Sequence, residues 1–309
     1  MRTDLKLCDM TSFLIALLLS LGSVAHGMNE PEAPRDSLLV MFWNLENFFD
    51  WEADEASGAD SSDREFSSNG KRHWTKGRFY TKCNAVAKTI LAVGDRFGRI
   101  PDVIGFAELE NGLILRRLIS STPLRKAGFR TLHFDSPDSR GIDCGLIYRG
   151  MTLRKGEAKH LYDSSGAVMA TRDILVAEFD SICVLVNHHP SKVGSGKQER
   201  RDIAMARLSA ICDSLQAAGH GRLLAIGDFN DDIWGTGGQG TIKYNGKWEK
   251  IDGHLQRGIG NLSESVFDHP LLLEPDKAFG GMKPRRTYSG PRYLGGISDH
   301  LPIVIRIRY

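Results

Sequence analysis

An acid and an amide, Asp228 and Asn230, lie two residues apart after the apolar run 223–226. On an extended backbone, side chains at i and i+2 point the same way. The pair would therefore share one target at the end of a strand, and Phe229 would face the core. An acid beside an amide suits a hard cation, a phosphate or a water molecule that is to be activated. The alternative is a turn that ends the strand, because Asp and Asn are favoured turn residues.

Four further apolar runs also have polar side chains at one end. Those side chains are Asn44, Glu108, Asn187 with His188, and Asp299 with His300. Each has a simple structural explanation, such as a strand cap, a turn, a helix cap at Glu110 and Asn111, or a structural histidine. Five independent coincidences in one chain are improbable. We therefore predict that five strands bring these side chains together, with the histidines as candidates for acid or base chemistry.

Strands and two amphipathic helices would position these residues. Apolar runs predict buried strands over Ser37–Asn44, Pro101–Glu108, Ile142–Tyr148, Ile174–Phe179, Ile182–Val186 and Ile303–Ile307. Thr75 is expected to cap a helix whose apolar face has Phe79, Cys83, Val86, Ile90 and Val93, with Lys82, Asn84 and Lys88 on the other face. Ala204, Leu208, Ile211 and Leu215 mark a second helix. A strand-like stretch is expected to end at Asp252.

The N-terminal residues have the layout of a secretory signal peptide. Arg2 and Lys6 supply positive charge, the apolar run 13–19 follows, and Ser23 and Ala25 are the small residues that a cleavage site requires at −3 and −1. A membrane span needs about 20 apolar residues, so this run is too short to be one. We predict a signal peptide over residues 1–25, a secreted or periplasmic location and no transmembrane anchor after cleavage.

Composition and cysteine positions restrict the broad class of protein. The chain has 309 residues and a net charge of +2, which neither demands nor excludes a nucleic-acid partner. At ~150 residues per domain one or two domains are allowed, and because no linker or repeat divides the chain, we predict one.

An exported chain can form disulfides. Buried free thiols are nevertheless favoured, because apolar strand-like or helix-like runs contain Cys83, Cys144, Cys183 and Cys212. No paired Cys/His spacing suggests zinc.

Taken in chain order, the polar strand ends resemble the endonuclease/exonuclease/phosphatase superfamily. The resemblance covers about Leu38 to Tyr309 and rests on Trp43-Asn44, Glu108, Asn187-His188, Gly227-Asp228-Phe229-Asn230 and Ser298-Asp299-His300. It implies an α+β fold, a four-layer α/β/β/α sandwich with two mixed β-sheets face to face and helices outside. It also implies Mg²⁺- or Mn²⁺-dependent hydrolysis of phosphoester bonds by a domain over residues 38–309, similar to secreted bacterial members.

The resemblance also implies which residues bind the metal and handle water. The metal ligands would be Asn44, Glu108 and Asp299, which offer the oxygen atoms that a hard cation prefers. Asp228 and Asn230 would position or activate the attacking water. The same two residues could hold a second metal, so the resemblance leaves the number of metals open.

The remaining implied roles concern the histidines and the substrate. His300 would be the general base or a charge-stabilising histidine, and Asp252 would orient its ring. His188 would bind the scissile phosphate or assist the leaving group. Substrate contacts would come from Arg172 and Asn187.

Two departures from the family pattern bear on function. His189 occupies a position where bacterial relatives often have tryptophan, so either histidine could have the catalytic role, although the register favours His188. No tyrosine matches the catalytic tyrosine of the abasic-site branch. Together with predicted export, this argues against the repair of chromosomal DNA.

The sequence leaves the substrate open between a nucleic acid and another phosphoester. Two basic clusters could hold a polyanion: Lys192, Lys197, Arg200 and Arg201, and Lys283, Arg285, Arg286 and Arg292. The Gly-rich stretch 234–248, which contains Lys243, Tyr244 and Lys247, could contact a substrate or be a plain surface excursion. We predict a nuclease, with a small-molecule or lipid phosphoesterase as the alternative and an inactive binding protein as the least favoured. No stable protein partner is predicted.

Overall fold

The described part of the protein consists of two β-sheets, three α-helices and several short hairpins. The computed structural model describes residues 36–52, 64–192, 197–232 and 239–309, so the predicted signal peptide lies outside the described residues. The strands, in chain order, are β1 (Ser37–Phe48), β2 (Val103–Leu109), β3 (Arg130–His133), β4 (Asp143–Tyr148), β5 (Leu153–Lys159), β6 (Ile174–Phe179), β7 (Cys183–His188), β8 (Leu223–Asp228), β9 (Ile242–Tyr244), β10 (Lys247–Glu249), β11 (Asp252–Arg257), β12 (Asn261–Val266), β13 (Leu273–Pro275), β14 (Met282–Pro284), β15 (Tyr288–Ser289), β16 (Arg292–Tyr293) and β17 (Ile303–Arg308). The helices are α1 (Lys76–Phe97), α2 (Gly112–Ser120) and α3 (Lys197–Ala217), with short 3₁₀ helices at Pro123–Lys126 and Pro270–Leu272.

Each large sheet is built around one parallel pair of strands. The first sheet has the order β12-β17-β1-β2-β4-β3, and the second has the order β11-β8-β7-β6-β5. The pairs β1–β2 and β7–β8 are parallel, and the other pairs in these sheets are antiparallel. A parallel pair needs a crossover connection, which is usually a helix. Here α1 lies in the connection from β1 to β2, and α3 lies in the connection from β7 to β8.

Apolar side chains on both faces of the sheets produce three stacked cores. In β1, Leu38, Val40 and Phe42 point between the sheets, whereas Leu39 and Met41 pack against helices α1 and α2. A third core lies between the second sheet and α3. Strands that are buried on both faces read as continuous apolar runs, which is why they were recognisable in the sequence. The predicted α/β/β/α sandwich is confirmed.

The helix ends follow local capping chemistry. Thr75 has an extended backbone, and its hydroxyl accepts a hydrogen bond from the Arg78 N–H, 3.4 Å away, at the start of α1. Gly98 ends α1 with a φ of 81°, a left-handed conformation that glycine adopts without a steric penalty. Asn111 caps α2 by accepting from the Leu113 and Ile114 N–H groups. The predicted caps at Thr75 and Asn111 are therefore confirmed.

Three local predictions differ from the structure. Strand β1 continues past Asn44 to Phe48, because the next apolar residues are also fully buried. Asp252 begins β11 instead of ending the preceding stretch, because residues 247–249 pair with β9 in a hairpin of their own. Lys82 does not lie on the wet face of α1, since its side chain is buried.

The four cysteines among the described residues, Cys83, Cys144, Cys183 and Cys212, are buried free thiols, as expected. They are divided among all three cores, with Cys83 beside the first sheet's helices, Cys144 between the sheets, and Cys183 and Cys212 near α3. Desolvation in these cores raises the pKa of the Cys83 and Cys183 thiols to about 12. No helix among the described residues is long and apolar enough to span a membrane.

Candidate active site

The two parallel strand pairs deliver four of the candidate residues to one place. Asn44 and Glu108 lie on the adjacent strands β1 and β2, while His188 and Asp228 lie opposite one another at the ends of β7 and β8. Face-to-face packing brings the two groups together, because the Asn44 Nδ2 donates to Asp228 Oδ2 across the sheets at 3.1 Å. Residues from distant parts of the sequence thus meet at one edge of the sandwich.

Asp228 lies at the centre of this cluster. Its Oδ2 is 3.7 Å from the Nε2 of His188 and 3.9 Å from the Nε2 of His300. The side chain is 2% exposed. Burial and the nearby charge of Asp252 together raise the pKa of Asp228 to about 7, although His300 and the amide of Asn44 favour the ionised form. Asp228 is therefore a carboxyl group that can exchange a proton near neutral pH.

The spacing of Asp228 and Asn230 predicts that both lie on one extended strand. In the structure they do not. Strand β8 ends at Asp228, and the Asn230 N–H donates to Asp228 Oδ1 at 2.9 Å in an Asx turn. Asn230 has a φ of 51°, and its Nδ2 donates to the backbone oxygen of His189 at 3.0 Å. The turn and the candidate site are therefore the same feature. Phe229 is fully buried in the α3 core, as predicted.

Glu108 has a strained backbone that directs its carboxylate into the cluster. Its φ is 63°, and the register of β2 shifts between Ala107 and Leu109. Such bulges re-aim side chains and concentrate at functional sites. Glu108 Oε1 accepts from Asn44 Nδ2 at 3.4 Å and lies 3.8 Å from His188 Nε2, while Oε2 accepts from the Asn47 N–H at 2.7 Å. The predicted helix-cap alternative applies to Asn111 and not to Glu108.

His300 is held by Asp252 and by contacts of its segment with Trp43 and Asn44 of strand β1. Its Nδ1 is 2.8 Å from Asp252 Oδ2, and Asp252 pairs with Asp228 across β11 and β8. Trp43 Nε1 donates to the His300 backbone oxygen at 2.9 Å, and Ser298 Oγ donates to the Asn44 oxygen at 2.6 Å. Burial alone would lower the pKa of His300, but the carboxylate of Asp252 raises it well above its usual value. The imidazolium is thus the stable form.

The two adjacent histidines have different surroundings. His188 faces Glu108 and Asp228, whereas His189 packs edge-on against Phe229 with ring centroids 5.0 Å apart. Burial, reinforced by the positive charges of Arg172 and Arg140, lowers the pKa of His188 well below its usual value. His188 therefore enters the site as a neutral imidazole, and the geometry favours it over His189 for the predicted role.

The two predicted substrate contacts lie behind the cluster. Arg172 is buried, and its guanidinium donates to Asp138 Oδ2 at 3.0 Å and to the His189 backbone oxygen at 2.6 Å. Asn187 is fully buried, and its Nδ2 donates to the Leu185 and Ile226 carbonyls. In this arrangement both side chains hold the strands and loop that support the site, and their contact with a substrate stays a prediction.

A buried network that the sequence analysis missed supports Asp299. Lys82 Nζ donates to the Glu46 backbone oxygen and to Thr287 Oγ1, both at 2.9 Å. Glu46 in turn accepts from the Thr287 N–H at 2.5 Å and from Arg286 Nε at 3.4 Å. Arg286 Nη2 also donates to Asp299 Oδ2 at 3.0 Å. The network ties β1 and α1 to the segment that presents Asp299.

Spacing in the sequence could have revealed the position of Lys82. Phe79, Lys82, Cys83 and Val86 follow an i, i+3, i+4, i+7 pattern, which places Lys82 on the apolar stripe of α1. The positive charge of Lys82 predicts an exposed position, whereas its place in this pattern predicts the buried one that the structure has. Glu46 gave a weaker signal, since it lies two residues after Asn44 in a strand that was expected to have ended.

The donor atoms fit a hard divalent cation. Glu108 and Asp299 retain partly exposed carboxylates, with side chains 14% and 26% exposed. Asp228 and Asp252 supply two further carboxylates in a group that lies, together with His300, within 4.8 Å, and the His300 imidazolium has no lone pair left for a metal. Asp252 Oδ1 is buried without a hydrogen-bond partner among the described residues. The Asn44 amide oxygen accepts from the Glu46 N–H at 2.9 Å, so the role of Asn44 as a ligand stays a prediction.

Solved structures of other proteins share the fold. Truncated Caenorhabditis elegans TDP2 is 12% identical with a TM-score of 0.53, over 88% of this chain and 98% of that chain. A Bacteroides thetaiotaomicron mannosyl-6-phosphatase is 14% identical with a TM-score of 0.54, over 88% and 100%. The human Nocturnin catalytic domain with bound sulfate is 16% identical with a TM-score of 0.51, over 88% and 93%. At these identities the likeness shows the fold alone.

The amino-acid sequence itself gives a family match. No curated protein is a significant match to the chain. The family model, in contrast, matches residues 39–252 and 235–309, which together contain every element of both sheets except the first two residues of β1. The sequence motifs, the sandwich and the cluster around Asp228 agree with that match. The chain belongs to the Endonuclease/Exonuclease/phosphatase family, a family of phosphoester hydrolases.

Proposed function

We propose that this protein is a divalent-metal-dependent phosphodiesterase that hydrolyses nucleic-acid phosphodiester bonds. The observation that carries the proposal is the arrangement around Asp228. One buried carboxyl group with a pKa of about 7 lies within 4 Å of a neutral histidine, His188, and of a second histidine, His300, whose ring is oriented by Asp252. Asp228 as a general base, His188 as a hydrogen-bond donor and His300 as a positive charge are thus assembled at one point.

The protonation states suggest a separate catalytic role for each of these side chains. Ionised Asp228 would accept a proton from the attacking water, because its pKa is close to neutral. The His300 imidazolium would stabilise the negative charge that grows on the phosphoryl oxygens in the transition state. Neutral His188 has Nε2 directed at the cluster and would donate a hydrogen bond to the phosphate. Asp252 would keep the His300 ring in one orientation.

The proposed reaction also requires a Mg²⁺ or Mn²⁺ ion. Glu108 and Asp299 would hold the ion with Asn44, and a bound ion polarises a phosphoryl oxygen and stabilises developing charge. Arg286 would keep Asp299 in place, since its guanidinium contacts both Asp299 and Glu46. The buried Lys82 supports the same segment, because its Nζ donates to Thr287 Oγ1.

Basic side chains near the site support a polyanionic substrate. Arg286 is half-exposed and bonded to Asp299, and Arg140 is half-exposed and close enough to His188 to lower its pKa. Lys192 follows the His188 strand by four residues and is 34% exposed. Lysine and arginine side chains around a phosphoester site are the usual means of holding a nucleic-acid backbone.

The alternative is a phosphomonoesterase or lipid phosphoesterase that uses the same residues. The likeness to a mannosyl-6-phosphatase motivates the small-molecule version. A panel of plasmid DNA, RNA, single-stranded oligonucleotides, mannose 6-phosphate, inositol phosphates and sphingomyelin, each assayed with Mg²⁺ and with EDTA, separates the two. The proposal requires Mg²⁺-dependent cleavage of a nucleic acid at a higher kcat/KM than any other compound. A clear preference for a phosphomonoester or a lipid would overturn it.

The proposed location is outside the cytoplasm, either secreted or periplasmic. The charged start, apolar run and small residues over positions 1–25 support export. N-terminal sequencing of protein recovered from the periplasm or medium is expected to begin near His26. Recovery of a cytoplasmic product that begins at Met1 would contradict this.

A further inference from the structure

A short hairpin formed by strands β9 and β10 is attached to the candidate site. Strands β9 and β10 pair with Tyr244 opposite Lys247, and Asn245 and Gly246 form the turn. Both turn residues have positive φ, 46° and 81°, which is the type I′ geometry preferred for two-residue hairpins. A side chain on Gly246 would lie 2.9 Å from Phe279, so the back of the turn rests directly on that residue. The hairpin is therefore held in place at its tip.

The base of the hairpin is bonded to two residues of the candidate site. Ile242 forms an antiparallel bridge with His300, and the Leu301 N–H donates to the Thr241 backbone oxygen at 2.7 Å. Thr241 Oγ1 accepts from the Asp252 N–H at 3.2 Å. The hairpin thus begins between His300 and its partner carboxylate.

Strand geometry fixes which face of the hairpin points toward the site. Residues directly opposite in an antiparallel pair have side chains on the same face, so Ile242 and His300 share a face. Tyr244, two residues along β9, has the same orientation, and so does Lys247 opposite it. Lys192 supports this assignment independently, because it lies on the loop after His188 and its Nζ is 2.8 Å from Glu249, opposite Ile242.

The other face of the hairpin is anchored to the protein. Lys243 Nζ lies 2.9 Å from Asp276 Oδ2 and donates to the Gly280 backbone oxygen at 2.7 Å. Its side chain is only 5% exposed. In contrast, Tyr244 is 61% exposed and Lys247 is exposed. The face of the hairpin that carries Ile242 therefore presents the ring of Tyr244 and the ammonium group of Lys247, roughly 7 Å along the strand from Ile242, whereas Trp248, 38% exposed, lies on the face of Lys243.

We propose that Tyr244 and Lys247 form a nucleotide subsite next to the scissile phosphate, with an unpaired base stacked on Tyr244 and a neighbouring phosphate bound by Lys247. Stacking of a base on an exposed aromatic ring is the main sequence-tolerant contact in single-strand binding, and lysine follows the backbone. The inference rests on the proposed nuclease function and narrows it to a substrate with an unpaired nucleotide beside the cleaved bond, such as a single strand.

The test compares kinetics on single-stranded tetranucleotides that have a base or an abasic residue on either side of the cleaved bond. For Tyr244→Ala, KM for the normal tetranucleotide should rise about 5- to 150-fold with kcat little changed, as loss of one base stack predicts. Tyr244→Phe and Tyr244→Trp should retain the wild-type KM. An abasic residue at the stacked position should remove the difference between wild type and Tyr244→Ala. Lys247→Gln should reduce the slope of log affinity against log salt by about 0.7.

Tyr309→Ala is the matched control. Tyr309 is 54% exposed but lies just beyond the far end of β17, roughly 20 Å along the strand from Ile303, the end of β17 nearest His300. This variant should behave as wild type. Unchanged KM in Tyr244→Ala, or an equal loss on normal and abasic tetranucleotides, would overturn the subsite while leaving nuclease function intact. Mg²⁺-dependent hydrolysis of other phosphoesters without cleavage of any oligonucleotide would instead overturn the nuclease function and, with it, the subsite.

Discussion

The Nδ1 of His300 and the Oδ2 of Asp252 lie 2.8 Å apart, with both side chains buried. Asp252 comes from the first residue of β11 and His300 from the segment before β17, so the contact joins the two sheets. The carboxylate fixes the ring and favours its charged form, while Nε2 points toward Asp228. The pair is therefore expected to act as one unit in catalysis.

A double-mutant cycle tests this unit. His300→Ala should lower kcat by about 10²- to 10³-fold, the usual cost of removing one group that stabilises charge in the transition state. Asp252→Asn should cause part of that loss, and the double variant should be little slower than His300→Ala alone, because residues that act as a unit are non-additive. Metal affinity measured by calorimetry should stay nearly unchanged in His300→Ala. Two losses that multiply would show that the residues act independently.

Glu108 is expected to determine metal affinity. Its carboxylate is directed into the cluster by a bulge and remains partly exposed. Glu108→Gln keeps the shape but removes the charge, so it should weaken Mg²⁺ binding and lower activity by orders of magnitude. Isothermal calorimetry provides the readout, with Glu110→Gln as a neighbouring control outside the cluster. Unaltered Mg²⁺ affinity in Glu108→Gln would remove it from the ligand set.

His189 is expected to make stability depend on pH. Burial, with the positive charge of Arg172, lowers the pKa of His189 to about 3, against a usual value of about 6.5. Between these values the unfolded chain binds a proton that the folded protein does not, so stability falls as pH decreases from about 6.5 toward 3. The slope from this one group can reach about 1.4 kcal/mol per pH unit.

Urea unfolding at several pH values measures this effect. His189→Phe keeps an aromatic ring against Phe229 and removes the titrating group. The free energy of unfolding of the variant, relative to wild type, should therefore increase as pH decreases below 6.5. A constant difference between pH 7 and pH 4 would mean that His189 is protonated to the same extent in the folded and unfolded states.

The buried Lys82 is expected to be important for stability. Its Nζ donates to the Glu46 backbone oxygen and to Thr287 Oγ1, and the lysine charge favours ionisation of the Glu46 carboxyl, whose pKa burial raises to about 7. Lys82→Met should cost about 1–3 kcal/mol of unfolding free energy, the typical effect of leaving buried hydrogen-bond acceptors without their donor. Lys88→Met, on the exposed face of the same helix, should change it by less than about 0.5 kcal/mol. Equal effects would show that the network is not stabilising.

The sequence predicts best those elements whose pattern depends on burial alone. Strand β6 was predicted with its observed ends, and helix α1 with its cap at Thr75, because apolar runs and capping residues reflect local physics. The cluster around Asp228 was predicted through motifs and resemblance. The strained backbone at Glu108 and Asn230 could not be predicted, because positive φ values at these residues depend on the surrounding structure.

Other features depend on tertiary context or on two local signals that conflict. Asn245-Gly246 between Tyr244 and Lys247 is a strong hairpin signal, but it lies in a Gly-rich stretch whose composition predicts a substrate-contacting loop or a plain surface excursion. Lys82 follows the apolar spacing of α1 but was placed by its charge. Arg286 contacts both Glu46 and Asp299. Because Glu46 and Arg286 are 240 positions apart, no local pattern indicates their contact.

Metal-dependent nuclease activity at Asp228 is tested by the rate at which purified protein cleaves a labelled single-stranded oligonucleotide, measured for wild type and Asp228→Asn with Mg²⁺ and with EDTA. We expect cleavage by wild type in Mg²⁺, none in EDTA, and a loss of at least about 10²-fold in Asp228→Asn with an unchanged circular dichroism spectrum. Cleavage by Asp228→Asn at the wild-type rate, or cleavage that persists in EDTA, would contradict it.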